Sequence, residues 1–477
     1  MDATNNASAG VPISIEEFKK ADHKKKIRFG LIMGIFCALY WGVWYVPGYA
    51  IWGFDSFLYP DMSAKGISSD LESLLDCLFL TCINATACAL VLFIWNGALG
   101  KLREWKRTLI EVKAASKYFM LAGLCGACAV YGTYIAVTFL SPGFAAVAGL
   151  LYPIIGTIMS VLYLKQKVSK RGYLSIIVLL AGGITLYAGS MITGGSVGSN
   201  ATLGAIGGIM AAVGWGFEGV VAGKALDVCE PDVGLHLRFC FEAVFWWIVM
   251  IVLICLGYPM LDTIGQIANP SVFLAVLLIG LSFAWCYVTW YKSFPFLGVA
   301  RGQAVGSLYA ACAVIFLIIF FGPVDALGYD DDSMLIIVGS TIAGLIICLI
   351  GSFLIATEDT EGMVSLKDTS KILGQGMIRD APVKFRIMEV FEEGGPQWNY
   401  EVVPKIMEEY GMHSHHEQQM VNYDIIEMVS AGFLEEGESV IDEEGKFNKG
   451  HLLTKYTITP LGIATVDDLK KKVRHYE

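Results

Sequence analysis

Charge is scarce in this chain. Asp, Glu, Lys and Arg make up 16% of its 477 residues, hydrophobic residues make up 55%, and mean hydropathy is +0.58. Soluble domains carry roughly 25% charged residues, so an ordinary soluble protein is excluded and an integral membrane protein is expected. Cysteine is absent beyond position 348, and all 12 copies are scattered through apolar stretches. That placement excludes a secreted disulfide framework and reads as small buried hydrophobes in a reduced compartment. Cys125-Gly-Ala-Cys128 has redox spacing but no strand beside it, so it too reads as packing. A P-loop is missing, which argues for gradient-driven rather than ATP-driven work. No nucleophile–base pair or metal motif stands out in the apolar runs, so no enzyme, no cofactor and no bound metal are expected. The first apolar run follows Lys24-Lys25-Lys26 and Arg28, with no small-residue cleavage site after it. It is expected to stay as an anchor.

The charge that is present is unevenly divided. Residues 358–477 hold 13 Lys and Arg against 23 Asp and Glu, a net of −10, while residues 1–357 balance to zero. A neutral membrane body with an acidic soluble tail follows. Crossing a bilayer takes about 20 apolar residues, and ten runs qualify: 29–52, 74–95, 118–140, 142–164, 173–192, 203–223, 239–257, 272–291, 302–321 and 334–356. Leu140-Ser141-Pro142-Gly143 is the tight turn that splits the third from the fourth. Short cytoplasmic loops retain Lys and Arg. With ten spans, these fall at Lys19 to Arg28, Lys101 to Lys117, Lys165 to Arg171, Lys224 to Arg238, and Lys292 with Arg301. The opposite side holds Lys65 and acids such as Asp55, Asp61, Asp262 and Asp330-Asp331-Asp332. Both termini are therefore expected in the cytoplasm, with the chain in the cell (inner) membrane. The expected domains are a cytosolic segment 1–28, a first five-helix half 29–192, a second half 203–356, a linker 357–380 and a tail 381–477.

Halves that begin on opposite sides would form an inverted repeat, with the substrate site near the midplane. Ala38-Leu39-Tyr40-Trp41-Gly42 is echoed 174 positions later by Gly214-Trp215-Gly216, and Leu140-Ser-Pro-Gly-Phe-Ala145 by Pro295-Phe-Leu-Gly-Val-Ala300. With Pro153 in the fourth span, these residues resemble the drug/metabolite transporter superfamily of the EamA type over roughly 29–356. The resemblance implies ten helices in two five-helix halves. Leu164-Lys165-Gln166-Lys167 replaces that family's Leu-Gly-Glu-Arg-like corner, and Phe321-Gly322-Pro323 lacks the acid in the other half.

An acid near a span centre costs roughly 2.5–3.5 kcal/mol on insertion scales, so Glu218 requires a partner. It is the candidate for substrate binding and for coupling to H+ or Na+; the structural alternative is a pair with Arg301. Glu242 has Arg238 four residues before it and reads as an i,i+4 ion pair near water. Asn84 and Gln303 either bind substrate or tie helices together. Trp41, Trp44, Tyr45, Trp215, Trp285, Tyr287, Trp290 and Tyr291 sit inside spans of both halves. Converging rings with one carboxylate suit an organic cation, and an interfacial belt or core packing is the plain alternative. Gly214-Trp-Gly-Phe-Glu-Gly219 lies in a span and follows no strand, so it reads as a small-residue packing face, not a dinucleotide fingerprint.

The tail pattern is three amphipathic helices, a hairpin around Ala431-Gly-Phe-Leu434, and a last helix after Tyr456-Thr-Ile-Thr-Pro460. It resembles a winged helix. Its net charge argues against nucleic acid, and its expected role is regulatory, by binding a protein or self-associating; a homodimer is compatible. His413, His415, His416 and Glu417 read as a solvated turn, with a metal site as the alternative. The expectation is thus an all-α membrane protein of ten helices as a 5+5 inverted repeat, plus a small α+β winged-helix-like domain. Its function would be transport of a small organic cation or zwitterion such as a quaternary amine. The alternatives are an amino acid or other neutral metabolite as substrate, and a membrane sensor that signals through the tail.

Overall fold

In the computed structural model the described residues are 15–54, 66–111, 113–140, 145, 149–164, 166–193, 200–226, 229–327, 333–356 and 382–471. The linker 357–380, most of the Leu140–Gly143 turn, Asp55, Asp61, Lys65 and Asp330–Asp332 lie outside them. Helices run α1 Ile15–Ala50, α2 Ser69–Ala98, α3 Leu102–Glu111, α4 Lys113–Phe139, α5 Tyr152–Leu162, α6 Lys170–Ile192 and α7 Ala201–Leu226. They continue as α8 Pro231–Cys255, α9 Met260–Gly265, α10 Pro270–Leu297, α11 Val299–Gly306, α12 Tyr309–Leu327 and α13 Met334–Ala356.

Among the described residues, eight helices are long and apolar enough to cross a bilayer. Exposed Ile, Leu and Phe cover much of their outer surface. Such a surface is stable only in lipid, and the chain is an integral, multi-pass membrane protein. Two of the ten expected runs are represented by the 11-residue α5 and by α6.

Local chemistry sets the helix ends. Ser68 accepts a hydrogen bond from the Leu71 N–H, Ser169 from Gly172, Glu230 from Val233 and Asn269 from Ser271, each satisfying an orphan first-turn donor. Pro231 and Pro270 stand at N1, where a missing N–H costs nothing. Gly298 separates α10 from α11 at φ 76°, a left-handed angle that favours glycine. The sequence placed a polar segment before residue 29; α1 instead begins by Ile15 and runs on into the apolar stretch. The stretch after Lys101, read as a loop, contains α3, whose Trp105 and Leu109 pack on the core.

In the body α4 packs on α7, α1 on α10 and α12, α5 on α7, α2 on α8, and α6 on α13. The tail comprises α14 Val383–Gly394, β1 Gln397–Trp398, α15 Asn399–Tyr410, α16 His415–Ala431, β2 Leu434–Ile441, β3 Leu452–Ile458 and α17 Pro460–Lys471. Its strands form an antiparallel sheet in the order β1-β3-β2 over a core that includes Phe385, Phe391, Val402, Ile425 and Phe433. The tail is docked on the body. Val383 N–H donates to Glu104 at 3.1 Å, Phe29 and Tyr423 rings lie 6.4 Å apart, and Lys26 meets Glu436 at 3.5 Å.

Candidate functional site

Consecutive helices α7 and α8 bring three charges together in the body. Arg238 Nε donates to Glu218 Oε1 at 2.6 Å, and its Nη1 donates to Glu242 Oε2. From α10, Tyr287 donates to Glu218 Oε2 at 3.0 Å and Tyr291 to Oε1 at 3.3 Å. The Tyr287 oxygen accepts from Trp215 Nε1 at 2.9 Å and from Arg238 Nη2 at 3.3 Å. The guanidinium also lies 4.0 Å from the Phe239 ring centre and 4.7 Å from that of Tyr287. Glu218, Arg238 and Glu242 are each 0% exposed. Two carboxylates and one guanidinium leave one negative charge if all are ionised.

Room for the arginine comes from α4. A Cβ at Gly126 would stand 1.6 Å from Arg238 Nη2 and 2.9 Å from Glu218 Oε2. Gly126 lies within Cys125-Gly-Ala-Cys128, so the packing reading of that motif gains a specific cause: its glycine admits a charged side chain.

Next to this cluster the aromatic residues close on one another. Trp41 stacks on Tyr309 at 4.3 Å and meets Trp215 edge-on at 4.6 Å, with Tyr152 at 5.7 Å and Trp290 at 6.3 Å. Trp44 stacks on Phe283 at 4.8 Å and meets Tyr45 edge-on at 5.2 Å. Trp41, Trp215 and Trp290 are 0% exposed. In this conformation the rings are packed ring on ring rather than turned to an open lumen.

Other candidate residues fall in different places. Trp285 stands apart, against Trp95 at 4.6 Å and beside Tyr40, in an apolar groove with Pro47 and Phe321. Asn84 accepts from Trp44 Nε1 at 3.4 Å. Gln303 Nε2 donates to the Trp215 carbonyl at 3.2 Å, and the Gln303 carbonyl accepts from Tyr152 at 2.7 Å. Gln303 therefore ties α11 to α7 and α5. Two pairings are corrected. Arg238, not Arg301, is the arginine at Glu218; Arg301 donates to the Leu297 carbonyl at 3.2 Å. The Arg238–Glu242 pair is buried within the body, because it is shared with Glu218, and does not sit at a wet helix end.

A second charged group lies where the tail meets the body. Lys101 contacts Glu230 at 2.5 Å and Asp232 at 2.6 Å, and Lys292 contacts Asp232 at 3.0 Å. Burial raises the Glu230 carboxyl above its usual range, against the pull of Lys101. Lys384, on α14, reaches the Cys229 carbonyl at 3.3 Å, the Leu226 carbonyl at 3.5 Å and Glu427 at 2.5 Å. Burial alone would lower its ammonium, but Glu427 and Asp424 more than offset this and raise it. Burial lifts Glu104 to about 7, opposed by Arg107 and the Val383 N–H. Burial likewise lifts Asp424, opposed by Lys384 and reinforced by Glu427. In the His413–Glu417 stretch, Glu417 is used as a helix cap, accepting from the Ser414 and His413 N–H groups at 2.8 and 2.9 Å.

Tyr152, Tyr309, Gly126 and Lys384 were missed from sequence. The two tyrosines had a readable signal, since Gly149-Leu-Leu-Tyr152 recurs as Gly306-Ser-Leu-Tyr309. Each reaches the other's glycine. A Cβ at Gly149 would stand 2.3 Å from the Tyr309 oxygen, and one at Gly306 3.0 Å from that of Tyr152.

No family model matches the chain, and no curated protein matches it. A solved structure described only as "Crystal structure of protein" aligns at 15% identity with a TM-score of 0.47, covering 68% of this chain and 98% of that one. A likeness of that degree carries no weight here.

Proposed function

We propose that the chain is a gradient-driven transporter of a small organic cation or zwitterion, built as ten spans in a 5+5 inverted repeat of the drug/metabolite transporter type. The observation that carries the reading is the buried Glu218–Arg238–Glu242 cluster beside the Trp41–Trp215–Tyr152–Tyr309 rings. One uncompensated negative charge in a dry aromatic setting attracts a cation by charge neutralisation and by the ring quadrupoles, and intramembrane ionisable groups commonly mark transport pathways.

Helix packing supports the repeat. Exchanging each span with the one five later converts α4 on α7 into α10 on α1, and α5 on α7 into α12 on α1. The same exchange leaves α2 on α8 and α6 on α13 as pairs of equivalents. A turn stands just before the repeated tyrosine in both fourth spans, at 150–151 and 307–308. Interrupted helices in matching places are a pointer to the binding site of such proteins. Solute entry then requires the packed rings to part as one half rocks against the other.

The tail order, helix, strand, two helices, hairpin and helix, supports the winged-helix reading. Its third helix, α16, faces the body through Tyr423, Asp424 and Glu427. That supports a regulatory tail over one that reads nucleic acid. A sensor is the second reading, favoured by Lys384 holding the carbonyl end of α7, the helix that carries Glu218. Thermal stabilisation of wild type and Glu218→Gln by organic cations, zwitterions, amino acids and sugars tests the solute class. A cation that stabilises only the wild type supports it, and stabilisation by neutral solutes in both proteins refutes it. Uptake into liposomes by protein lacking 381–477 separates transporter from sensor.

A further inference from the structure

The two carboxylates of the cluster are not equivalent, and the difference assigns the exchangeable ion. Glu218 accepts hydrogen bonds from Arg238, Tyr287 and Tyr291. Each of those donors favours the ionised form. Glu242 accepts one such bond, from Arg238 to Oε2. Among the described residues its Oε1 is buried without a well-formed hydrogen bond, and the donor beside it is the neutral indole N–H of Trp246, one turn further along α8.

Among the described residues, the groups around Glu242 offer no second cation. Its own helix supplies Arg238, and α7 supplies Glu218, a like charge. Helix α2 contributes Cys82 and Cys88 to its electrostatic surroundings, and α10 contributes Tyr287 and Tyr291, none of them a cation. On α4 the facing residue is Gly123, where a Cβ would stand 3.4 Å from the Glu242 nitrogen, so no side chain enters. One guanidinium cannot neutralise both acids in a dry site, and an uncompensated buried carboxylate takes a proton instead.

We propose that Glu242 is the proton-carrying group of this protein and that Glu218 is the permanently ionised anchor of Arg238. With the proton bound the cluster is neutral. When Glu242–COOH releases one proton to water, its carboxylate leaves a single negative charge that one monovalent organic cation can replace. Exchange is then one for one and electroneutral. The exchange step rests on the transporter reading; the proton assignment does not.

The test is infrared spectroscopy of the full chain in nanodiscs, with glutamate carboxyls carbon-13 labelled so that aspartate bands separate. At pH 6 the protonated-carboxyl stretch of the wild type is expected to contain a band that Glu242→Gln removes and Glu218→Gln keeps. Gln is isosteric with the protonated acid, so Glu242→Gln is also expected to unfold at the wild-type midpoint, whereas Glu218→Gln unfolds earlier. A spectrum in which the band survives Glu242→Gln overturns the assignment, even if Glu218→Gln does not fold. Because the band is read without solute, a panel in which no organic cation binds would defeat the transport reading and leave the assignment in place.

Discussion

Removing the arginine at the centre of the cluster is the most demanding perturbation. In Arg238→Met the side chain keeps its length and apolar stem, but Glu218 loses the 2.6 Å donor, Glu242 loses its charged partner and Tyr287 loses one donor. Breaking a fully buried pair by deleting one member costs about 3–5 kcal/mol, because the remaining charge is left without compensation. At about 1.4 kcal/mol per tenfold, the folding equilibrium shifts by two to nearly four orders of magnitude. The assay is SDS-titrated unfolding of the purified chain in mixed micelles, followed by tryptophan fluorescence. Replacing a whole buried ion cluster by neutral groups is often neutral or stabilising, so adding Glu218→Gln and Glu242→Gln to Arg238→Met should restore most of the loss. If Glu242 already carries a proton, adding Glu218→Gln alone should restore as much. Two results would refute the charge-pairing account: Arg238→Met unfolding at the wild-type midpoint, or a triple variant no more stable than the single one.

Three further outcomes are expected. Gly126→Ala places a methyl where Arg238 Nη2 sits, so it should cost about 1–3 kcal/mol as overpacking in the same titration. Gly48→Ala, with nothing within 4 Å of its Cβ, should change nothing. Lys384→Met removes the bridge from Glu427 to the end of α7, and amide exchange in α14 and α16 should quicken while the tail core stays protected. Tail docking should also depend on pH. Glu104 rises from its ordinary 4.5 to about 7 in the docked state, and Asp424 rises too. Groups with raised docked-state values bind protons on docking, so docking strengthens as pH falls and weakens as pH climbs from about 5 through 7. Exchange protection of α14 at pH 6 and pH 8 measures this, and Glu104→Gln should remove part of the difference.

The membrane class was legible from charge scarcity and run length alone, because lipid imposes a demand that every long apolar helix must meet in its own composition. The tail was separable for the same reason, by its acids and its amphipathic periodicity. What composition does not carry is contact between segments. Glu427 and Asp424 read as ordinary solvated acids on an amphipathic helix, yet Lys384 and the ends of α7 make them part of a buried seam. Lys384 itself stands in a helix whose pattern, Val-Lys-Phe-Arg, gives no hint that its amine is covered.

At the candidate site the decisive quantity was pairing rather than residue type. Sequence named Glu218, Glu242 and the rings individually, since each is unusual inside a span, and Arg238 as the residue just before one. It joined Arg238 to Glu242 through the four-residue helical spacing but had no rule for joining Arg238 to Glu218 across a helix turn. The missing information is the gap in α4 at Gly126, and a glycine among Cys and Ala in an apolar run looks like every other packing glycine. The tyrosines were recoverable, since Gly149-x-Leu-Tyr152 and Gly306-x-Leu-Tyr309 are an exact-spacing repeat of four residues. A tyrosine three residues after a glycine, in each of two crossing segments, places one hydroxyl at the other's missing side chain. Such reciprocity requires the two segments to cross closely, and in the proposed inverted repeat that crossing lies between the halves that would rock. On the proposed transporter reading, the tyrosines mark the seam along which the rings part, and the charge cluster beside them is what a solute meets on entry.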